Sequence, residues 1–391
     1  MKIESVDFFY LAMPEIRDIG DGSQDALLVR VQAGGFTGWG ECEAAPLVSI
    51  AAWNCPMSHS ACKPVSASVL GQKLEDPNDI RRINARIREN SFDLLQADHT
   101  LSGVDIALWD LLAKKAGEPV YRLLGYPKAF PKIAYASQLF GGSPSETYAK
   151  ARRVRQEGFR AAKFGWGSYG RGTVAADAEQ VCAAREGLGG EGILLVDAGT
   201  VWGADLEAAL RRLPSLREAR ALWLEEPFVS GALPSYRRLA EASGDVQLAG
   251  GEGCHDFHQA RNMIDYAGLK YIQIDTGRAG GITTAKEIAD YASQREVTYV
   301  NHTFTTHLAL SASLQPYAGL EQHELCEYPT EPSSLALELT LSPILPDANG
   351  GIVLPERPGL GIEPDPKAIR KYVVETEIRV GGKWIYQTPE I

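Results

Sequence analysis

From Lys132 onward the chain alternates short apolar runs with stretches that have helical spacing. Helical patterns over residues 145–156, 205–212, 280–295 and 305–317 lie between such runs. The apolar runs are KIAYA, RAAKF, ILLVD, ALWLE, QLAGGE, KYIQID, TYVNH and HELCE. Eight strand and helix units in succession predict an α/β fold with a parallel barrel of the (β/α)8 kind.

The first 125 residues have a different pattern. Residues 1–10 and 27–32 are predicted as strands, and the glycine-rich run 34–41 carries turn signals between strands. Residues 76–89 and 102–116 have helical spacing, and Gly117 then ends the second helix. This segment is therefore predicted to be an α+β unit.

These patterns divide the chain into two domains. Residues 1–125 form the α+β domain and residues 126–366 the barrel. Residues 367–391 include a run that alternates like a hairpin around Gly381 and Gly382, which a finished barrel does not need. We expect this tail to return to the first domain.

Composition narrows the possible partners. The 391 residues carry a net charge of −11, which disfavours nucleic acid and anionic membranes. No apolar run approaches the roughly 20 residues of a membrane span, and charges interrupt the apolar start of the chain as they would not in a signal peptide. The six cysteines show no C-x-x-C spacing, which fits reduced thiols. A cytoplasmic location is expected.

Three carboxylates recur with the rhythm of the barrel. Asp197, Glu225 and Glu252 each end an apolar run and are spaced 28 and 27 residues apart. One strand and its crossover helix occupy that length, so the three side chains are expected at neighbouring strand ends. Any one of these carboxylates, taken alone, could be an ordinary polar loop residue that follows a buried strand. As a set in register they predict a hard cation such as Mg²⁺ with oxygen ligands.

Other ionisable residues end the remaining runs. Lys163, Asp275, His302 and Glu327 lie at the ends of the second, sixth, seventh and eighth runs. Because the carboxyl ends of barrel strands converge on one mouth, these groups are expected to surround one site. A ring that contains four or more carboxylates needs a cation to balance its charge.

A competing motif occurs between residues 165 and 170, which spell G-x-G-x-x-G after an apparent strand. In a dinucleotide-binding fold these glycines open a helix that faces the pyrophosphate. Here the loop extends to Val174 before helical spacing resumes. Nucleotide binding would also leave Glu225, Glu252 and His302 without a role.

The motifs VDAG, WLEEP, GGE, QID, VNH and CEYP make the chain resemble the mandelate racemase subgroup of the enolase superfamily. The resemblance implies a capping domain and a (β/α)7β barrel, a modified TIM barrel, and favours a homo-oligomer. It also implies an essential Mg²⁺ held by Asp197, Glu225 and Glu252, with Glu226 beside the second ligand. His302 would be the base, Asp275 would orient its ring, and Glu327, protonated through a raised pKa, would donate a hydrogen bond to a substrate carboxylate.

The second strand departs from the family pattern. Racemases of this subgroup carry Lys-x-Lys there, whereas this chain has Lys163, Phe164 and Gly165. Racemisation needs a base on each face of the planar intermediate, so elimination becomes the expected reaction unless Lys163 or Tyr169 substitutes. We expect an acid-sugar dehydratase, a hydro-lyase, in which Lys163 neutralises the substrate carboxylate or serves as an alternate base.

The expected partner is a small carboxylate whose identity depends on loops of the capping domain. Residues 14–25 and 49–63 are polar segments that could close over the mouth, and Arg17 could pair with a distal carboxylate. Two other readings stay open at this point. They are a racemase or epimerase of a 2-substituted carboxylate, and a non-catalytic binding protein built on the same fold.

Overall fold

Three antiparallel strands and five helices precede the barrel in the computed structural model, which describes residues 1–391. The strands are β1 Ile3–Ala12, β2 Asp25–Ala33 and β3 Phe36–Cys42. The helices are α1 Pro46–Asn54, α2 Ser66–Val69, α3 Pro77–Asn90, α4 Ala97–Ala116 and α5 Val120–Leu123. The buried helix α4 packs across β2 and β3 and forms the centre of this domain.

The glycine-rich run 34–41 is mostly strand β3, which corrects the prediction of a turn. Only Gly34 and Gly35 have the positive φ of a turn. A Cβ at Gly38 would lie 2.1 Å from the carbonyl oxygen of Ala107, and one at Gly40 would lie 2.2 Å from that of Gly103. The later glycines therefore allow α4 to approach the sheet, a use of glycine that resembles a turn signal in the sequence.

Eight parallel strands form the barrel, which confirms the predicted fold class. They are β4 Lys132–Leu139, β5 Ala161–Gly165, β6 Ile193–Asp197, β7 Ala221–Glu225, β8 Gln247–Gly250, β9 Tyr271–Asp275, β10 Thr298–His302 and β11 Leu325–Pro329. The hydrogen-bonded order runs from β10 back through β4 to β11. Side-chain bonds join the two edges, because Glu327 N donates to Asn301 Oδ1 and Thr303 N donates to Glu327 Oε2.

Helices connect successive barrel strands. They are α6 Pro144–Gln156, α7 Val174–Leu188, α8 Leu206–Leu210, α9 Leu213–Glu218, α10 Leu233–Ser243, α11 Phe257–Tyr266, α12 Gly281–Gln294 and α13 His307–Leu314. Two short helices, α8 and α9, replace the single one predicted over 205–212. Pro214 lies in the first turn of α9, where its missing N–H group is tolerated.

The last segment leaves the barrel and reaches the first sheet. Its elements are α14 Ser334–Glu338, β12 Gly351–Ile352, α15 Pro366–Tyr372, β13 Glu377–Val380 and β14 Lys383–Gln387. The hydroxyl of Tyr386 donates to the carbonyl of Phe8 at 2.7 Å, and Val374 N donates to the carbonyl of Tyr10 at 2.8 Å. No helix in the structure has the length and apolar character needed to cross a membrane.

One buried layer inside the barrel supports the ionisable residues. The layer consists of Tyr135, Ala161, Leu195, Trp223, Ala249, Val300 and Leu325. Because side chains alternate along a strand, the residue two positions later points the same way, one step nearer the mouth. Those later positions include Lys163, Asp197, Glu225, His302 and Glu327. The packed layer therefore forms the floor on which the charged groups stand.

Candidate active site

Lys163 lies at the centre of one half of the mouth and pairs with three carboxylates. Its Nζ is 2.7 Å from Glu225 Oε1, 2.7 Å from Glu327 Oε1 and 3.4 Å from Asp197 Oδ2. All four side chains are buried. A single ammonium group thus offsets several negative charges in a region with little water.

Two of the three carboxylates beside Lys163, those of Glu225 and Asp197, also accept hydrogen bonds from other groups. Trp223 Nε1 donates to Glu225 Oε2 at 3.1 Å, and Gly199 N donates to Asp197 Oδ1 at 2.8 Å. Burial nevertheless raises the pKa of both carboxyl groups, and the effect of Lys163 only partly opposes it. These oxygens are crowded with negative charge, an environment that favours an additional cation.

His302 and Asp275 form a hydrogen-bonded pair at the ends of adjacent strands. Their backbones are opposite one another in the β9 and β10 register, and His302 Nδ1 is 2.6 Å from Asp275 Oδ2. Asp275 also accepts from Gly277 N at 2.7 Å. Although burial alone would raise it, the pKa of Asp275 falls to about 2, mainly through the bond to His302 and the nearby Arg278. Asp275 is therefore a carboxylate that fixes the ring.

The other ring nitrogen of His302 faces the mouth. Its Nε2 is 3.1 Å from Glu252 Oε2 and 3.9 Å from Glu327 Oε2. Burial would lower the pKa of His302, but Glu252, Glu327 and Asp275 together raise it well above its ordinary value. The structure thus brings His302, Asp275, Glu252 and Glu327 together as the strand ends predicted.

Glu327 corrects the expectation of a protonated hydrogen-bond donor. Burial would raise its pKa, but Lys163 and His302 outweigh burial and lower the pKa below its ordinary value. Its oxygens accept from Ser137 Oγ at 2.8 Å and from Thr303 N at 2.9 Å. Glu327 is therefore a charged acceptor that holds Lys163, so donation to a substrate carboxylate would fall to Lys163 itself.

The three predicted metal ligands divide between two neighbours. Asp197 and Glu225 face Lys163, whereas Glu252, which lies two residues beyond β8, faces His302 and has Oε1 3.7 Å from an Arg278 nitrogen. The group whose possible ligand atoms all lie within 4.8 Å of one another is Glu43, Asp275 and His302. A cation held by Asp197, Glu225 and Glu252 would therefore compete with His302 for the Glu252 carboxylate.

Glu43 and Arg278 are two members of the site that the sequence did not reveal. Glu43 follows β3 in the first domain, and an Arg278 terminal nitrogen lies 2.6 Å from its Oε1. Burial and the charge of Asp275 raise the pKa of Glu43 to about 8, although Arg278 opposes them. Glu41, two residues earlier on the same face, accepts from Thr306 Oγ1 at the start of α13. Recognising residues 36–42 as a strand would have placed both glutamates at the domain junction.

Gly165 leaves no room for a side chain on the face opposite His302. A Cβ at this position would lie 2.7 Å from Asp197 Cβ and 3.1 Å from Asp197 Oδ2. A lysine at this position could not be accommodated without moving Asp197. Tyr169 does not substitute for it, since its ring is buried between Phe140 and Trp202.

A cavity of about 290 Å³ lies above these groups. Its lining includes Lys163, Asp197, Glu252 and His302, together with residues 19–22 of the first domain. Arg17 is exposed and does not line this cavity. Its backbone N–H and carbonyl are hydrogen-bonded to the side-chain amide of Gln24. The structure therefore brings together every predicted site residue except Arg17. Lys163, Asp197, Glu252 and His302 line the cavity, and the buried side chains behind them are those of Glu225, Asp275 and Glu327.

The balance of charge fits a divalent cation. Seven carboxyl groups meet here, and their cationic partners are Lys163, Arg278 and His302. The seven belong to Glu43, Asp197, Glu225, Glu226, Glu252, Asp275 and Glu327. Burial and the neighbouring Glu252 and Asp197 raise the pKa of Glu226 to about 8. Oxygen donors in excess of cations are what Mg²⁺ requires, whereas zinc favours histidine and cysteine.

Two family models cover most of the chain. The model described as enolase C-terminal domain-like matches residues 146–368. The model of the mandelate racemase / muconate lactonizing enzyme N-terminal domain matches residues 19–125. Both the barrel and the first domain, which contributes Glu43, therefore match described protein domains.

Relatives and solved structures agree with these models. An L-talarate/galactarate dehydratase from Salmonella typhimurium is 30% identical over 68% of this chain, an alignment that spans 66% of the relative. A D-galactarolactone cycloisomerase from Agrobacterium fabrum is 28% identical over 86% of this chain and 88% of the relative. A solved structure described as a predicted mandelate racemase from Rhodobacter sphaeroides is 59% identical, covers 100% of both chains and superposes with a TM-score of 0.96.

Proposed function

Since the chain belongs to the mandelate racemase subgroup of the enolase superfamily, we propose that it is an acid-sugar dehydratase that depends on Mg²⁺. It would remove the proton α to the carboxylate of an aldonate or aldarate and eliminate the β-hydroxyl, leaving a 2-keto-3-deoxy acid. The prediction of an enzyme, a lyase with an isomerase as the alternative, is confirmed by relatives named dehydratases and cycloisomerases. The observation that carries the proposal is a single His–Asp pair opposite a position that admits no side chain.

Asp197, Glu225 and Glu252 would hold the metal. Their oxygens are the hard donors that Mg²⁺ prefers, and burial, followed by the neighbouring carboxylates, raises the pKa of the first two carboxyl groups. When bound, the ion would act as a Lewis acid that stabilises the doubly charged ene-diolate formed from the substrate carboxylate. Lys163 lies beside two of these carboxylates and lines the cavity, where it can donate to a substrate carboxylate oxygen.

His302 would take the α-proton on Nε2. Asp275 accepts the Nδ1 proton at 2.6 Å, so Nε2, the nitrogen that faces the mouth, is the one that gives up and takes up a proton. The neighbouring carboxylates, Glu252 first among them, favour the protonated ring, and His302 becomes a base once Nε2 has lost its proton. A positioned base contributes typically 10²–10⁴-fold to rate. The carboxylate of Asp275 also stabilises the imidazolium that results from the transfer.

Elimination then needs no second base. The proton on His302 passes to the β-hydroxyl, the Cβ–O bond breaks, water leaves, and the resulting enol ketonises to the 2-keto acid. Gly165 offers no group on the other face, which a racemase would require. An isomerase remains the second candidate because relatives include cycloisomerases and a structure described as a racemase. In that case Lys163 is the remaining cavity residue that could act as the second base.

The proposal is tested with a panel of acid sugars, Mg²⁺ and protein in D₂O. Dehydration gives a 2-keto acid, detected as its semicarbazone, with deuterium at C3. Exchange at the α-carbon without this product would instead identify an epimerase or racemase.

The base assignment is tested by His302→Asn. We expect loss of product with Mg²⁺ binding retained, whereas the control His258→Asn, at an exposed position on α11, should keep wild-type rates. Full activity of His302→Asn would overturn the assignment. Failure of the wild-type protein to bind Mg²⁺ would count against both candidate reactions.

A further inference from the structure

The outer wall of the substrate cavity differs in character from its floor. Leu139 ends β4 opposite Gly165 in the strand register, and Trp166 and Phe304 follow the ends of β5 and β10. These three residues and Ile19 line the cavity beyond Lys163 and His302. The outer wall is thus apolar and aromatic where the floor is charged.

A loop of the capping domain completes this wall. A Cβ at Gly20 would lie 3.3 Å from Trp166 ring atoms and 3.4 Å from Leu139 Cδ2, so the backbone at Gly20 lies directly against both side chains. In the same way, a Cβ at Gly22 would lie 3.4 Å from the carbonyl oxygen of Phe304. Trp166 is 42% exposed, and its backbone has a left-handed φ of 58°.

Every cation of the cavity is already committed to the floor. Lys163 pairs with three carboxylates, and an Arg278 nitrogen lies 2.6 Å from Glu43, with a second 3.7 Å from Glu252. His302 lies against Asp275 and Glu252. No other lysine, arginine or histidine lines the cavity.

The loop adds a negative charge instead. Asp21 lines the cavity, and its Oδ1 accepts from both Ser23 N and Ser23 Oγ. A second carboxylate at the far end of a substrate would face this group and mainly apolar side chains, with Gln138 as an uncharged amide in the lining, and would lose water without gaining a cationic partner. A neutral end carrying C–H groups could instead pack on the indole of Trp166.

Building on the proposed function, we propose that this site selects monocarboxylic acid sugars and discriminates against the matching dicarboxylic acids. The substrate carboxylate occupies the charged floor, and the uncharged end lies between the Gly20 loop, Leu139 and Trp166. The aldonate class, open or closed into a ring ether that leaves the carboxylate free, therefore fits the cavity, and the aldarate class does not.

The test measures binding, so it does not depend on turnover. Calorimetric titrations use the Mg²⁺-loaded His302→Asn protein and pairs of acids with the same stereochemistry, such as galactonate and galactarate. We expect at least one monoacid to bind, and we expect the matching diacid to bind about 10²-fold more weakly. This difference is the expected cost of an unpaired carboxylate in a partly open site. Equal or tighter binding of the diacids, or binding of no monoacid, would overturn the selectivity.

A second variant adds a positive charge to the wall. In the same background, Leu139→Arg should narrow or invert the preference by supplying a guanidinium for the distal carboxylate, whereas Leu139→Met should preserve it. An unchanged preference in Leu139→Arg would contradict the assigned position of the distal end. The proposed dehydration is judged separately, by 2-keto acid formation in the wild-type protein, so the two ideas can fail independently.

Discussion

Substitution of Gly165 by alanine tests whether Asp197 serves the metal. The added Cβ would lie 2.7 Å from Asp197 Cβ and 3.0 Å from Asp197 Cγ, whereas ordinary contact begins near 3.4 Å. Asp197 Cβ must therefore move by about 0.7 Å, and because Cβ moves only with its backbone, the end of the strand must shift and carry the carboxylate with it. Because β5 and β6 are paired at these two residues, the shift displaces Asp197 directly.

The expected magnitude follows from the displaced ligand. Overpacking of this size costs about 1–3 kcal/mol, and disturbances around metal ligands typically cost 10–100-fold in metal affinity. We therefore expect Gly165→Ala to raise the Mg²⁺ dissociation constant at least about tenfold, equivalent to about 1.4 kcal/mol. The rate of α-proton removal should fall with it.

Isothermal titration measures the affinity, and thermal unfolding with and without Mg²⁺ provides an independent reading. An ion present at about 100 times its dissociation constant stabilises a protein by about 2.7 kcal/mol, so tenfold weaker binding should remove about half of that stabilisation. Gly172→Ala is the matched control, since a Cβ there would meet nothing closer than 4.0 Å. Wild-type Mg²⁺ affinity in Gly165→Ala would refute the placement of Asp197 among the ligands.

Three further predictions concern groups outside the mouth. Lys132 is 3% exposed and burial lowers its pKa to about 8, so the unfolded chain holds more protons between pH 8 and 10.5 and stability should rise with pH across that window. Urea unfolding should show that Lys132→Met lacks this rise, which amounts to about 3 kcal/mol at most; parallel pH profiles would contradict it. Arg212→Met should cost about 3–5 kcal/mol in the same assay, because it strands the buried Asp177 carboxylate whose Oδ2 lies 2.9 Å from the guanidinium. The double variant Arg212→Met/Asp177→Leu should recover part of that loss, and a double variant no more stable than the single would argue against the explanation. A thiol reagent should label three cysteines in the native protein and all six after unfolding, and rapid native labelling of all six would contradict the burial. The three protected thiols are those of Cys42, Cys254 and Cys326.

The strand ends could be predicted because one periodic signal determines both the fold and the direction of side chains. Residues such as Asp197 and His302 stand two positions beyond a packed apolar residue, so the pattern that predicts the strand also predicts which face they share. The spacing of Asp275 and His302 likewise predicted neighbouring strands, and the register pairs them directly.

Pairings across the mouth could not be predicted in the same way. Lys163 on β5 reaches Glu327 on β11, a contact that depends on barrel closure and reverses the expected protonation of Glu327. The contribution of Glu43 depends on how the first domain docks, and its strand was hidden by glycines that serve packing instead of turning. Arg17 has the right chemistry for a carboxylate, but the path of its loop leaves it outside the cavity.

The contact between Tyr386 and Phe8 has a consequence for how the chain is made. The two residues are 378 positions apart, and the bridge between Leu11 and Val373 spans nearly the same distance. At about 5–20 residues per second, a ribosome releases the later partner roughly 20 to 75 s after the earlier one. The first sheet therefore waits for the whole barrel to be synthesised before its last contacts form, and until then only α4 and its neighbours in the first domain can cover it.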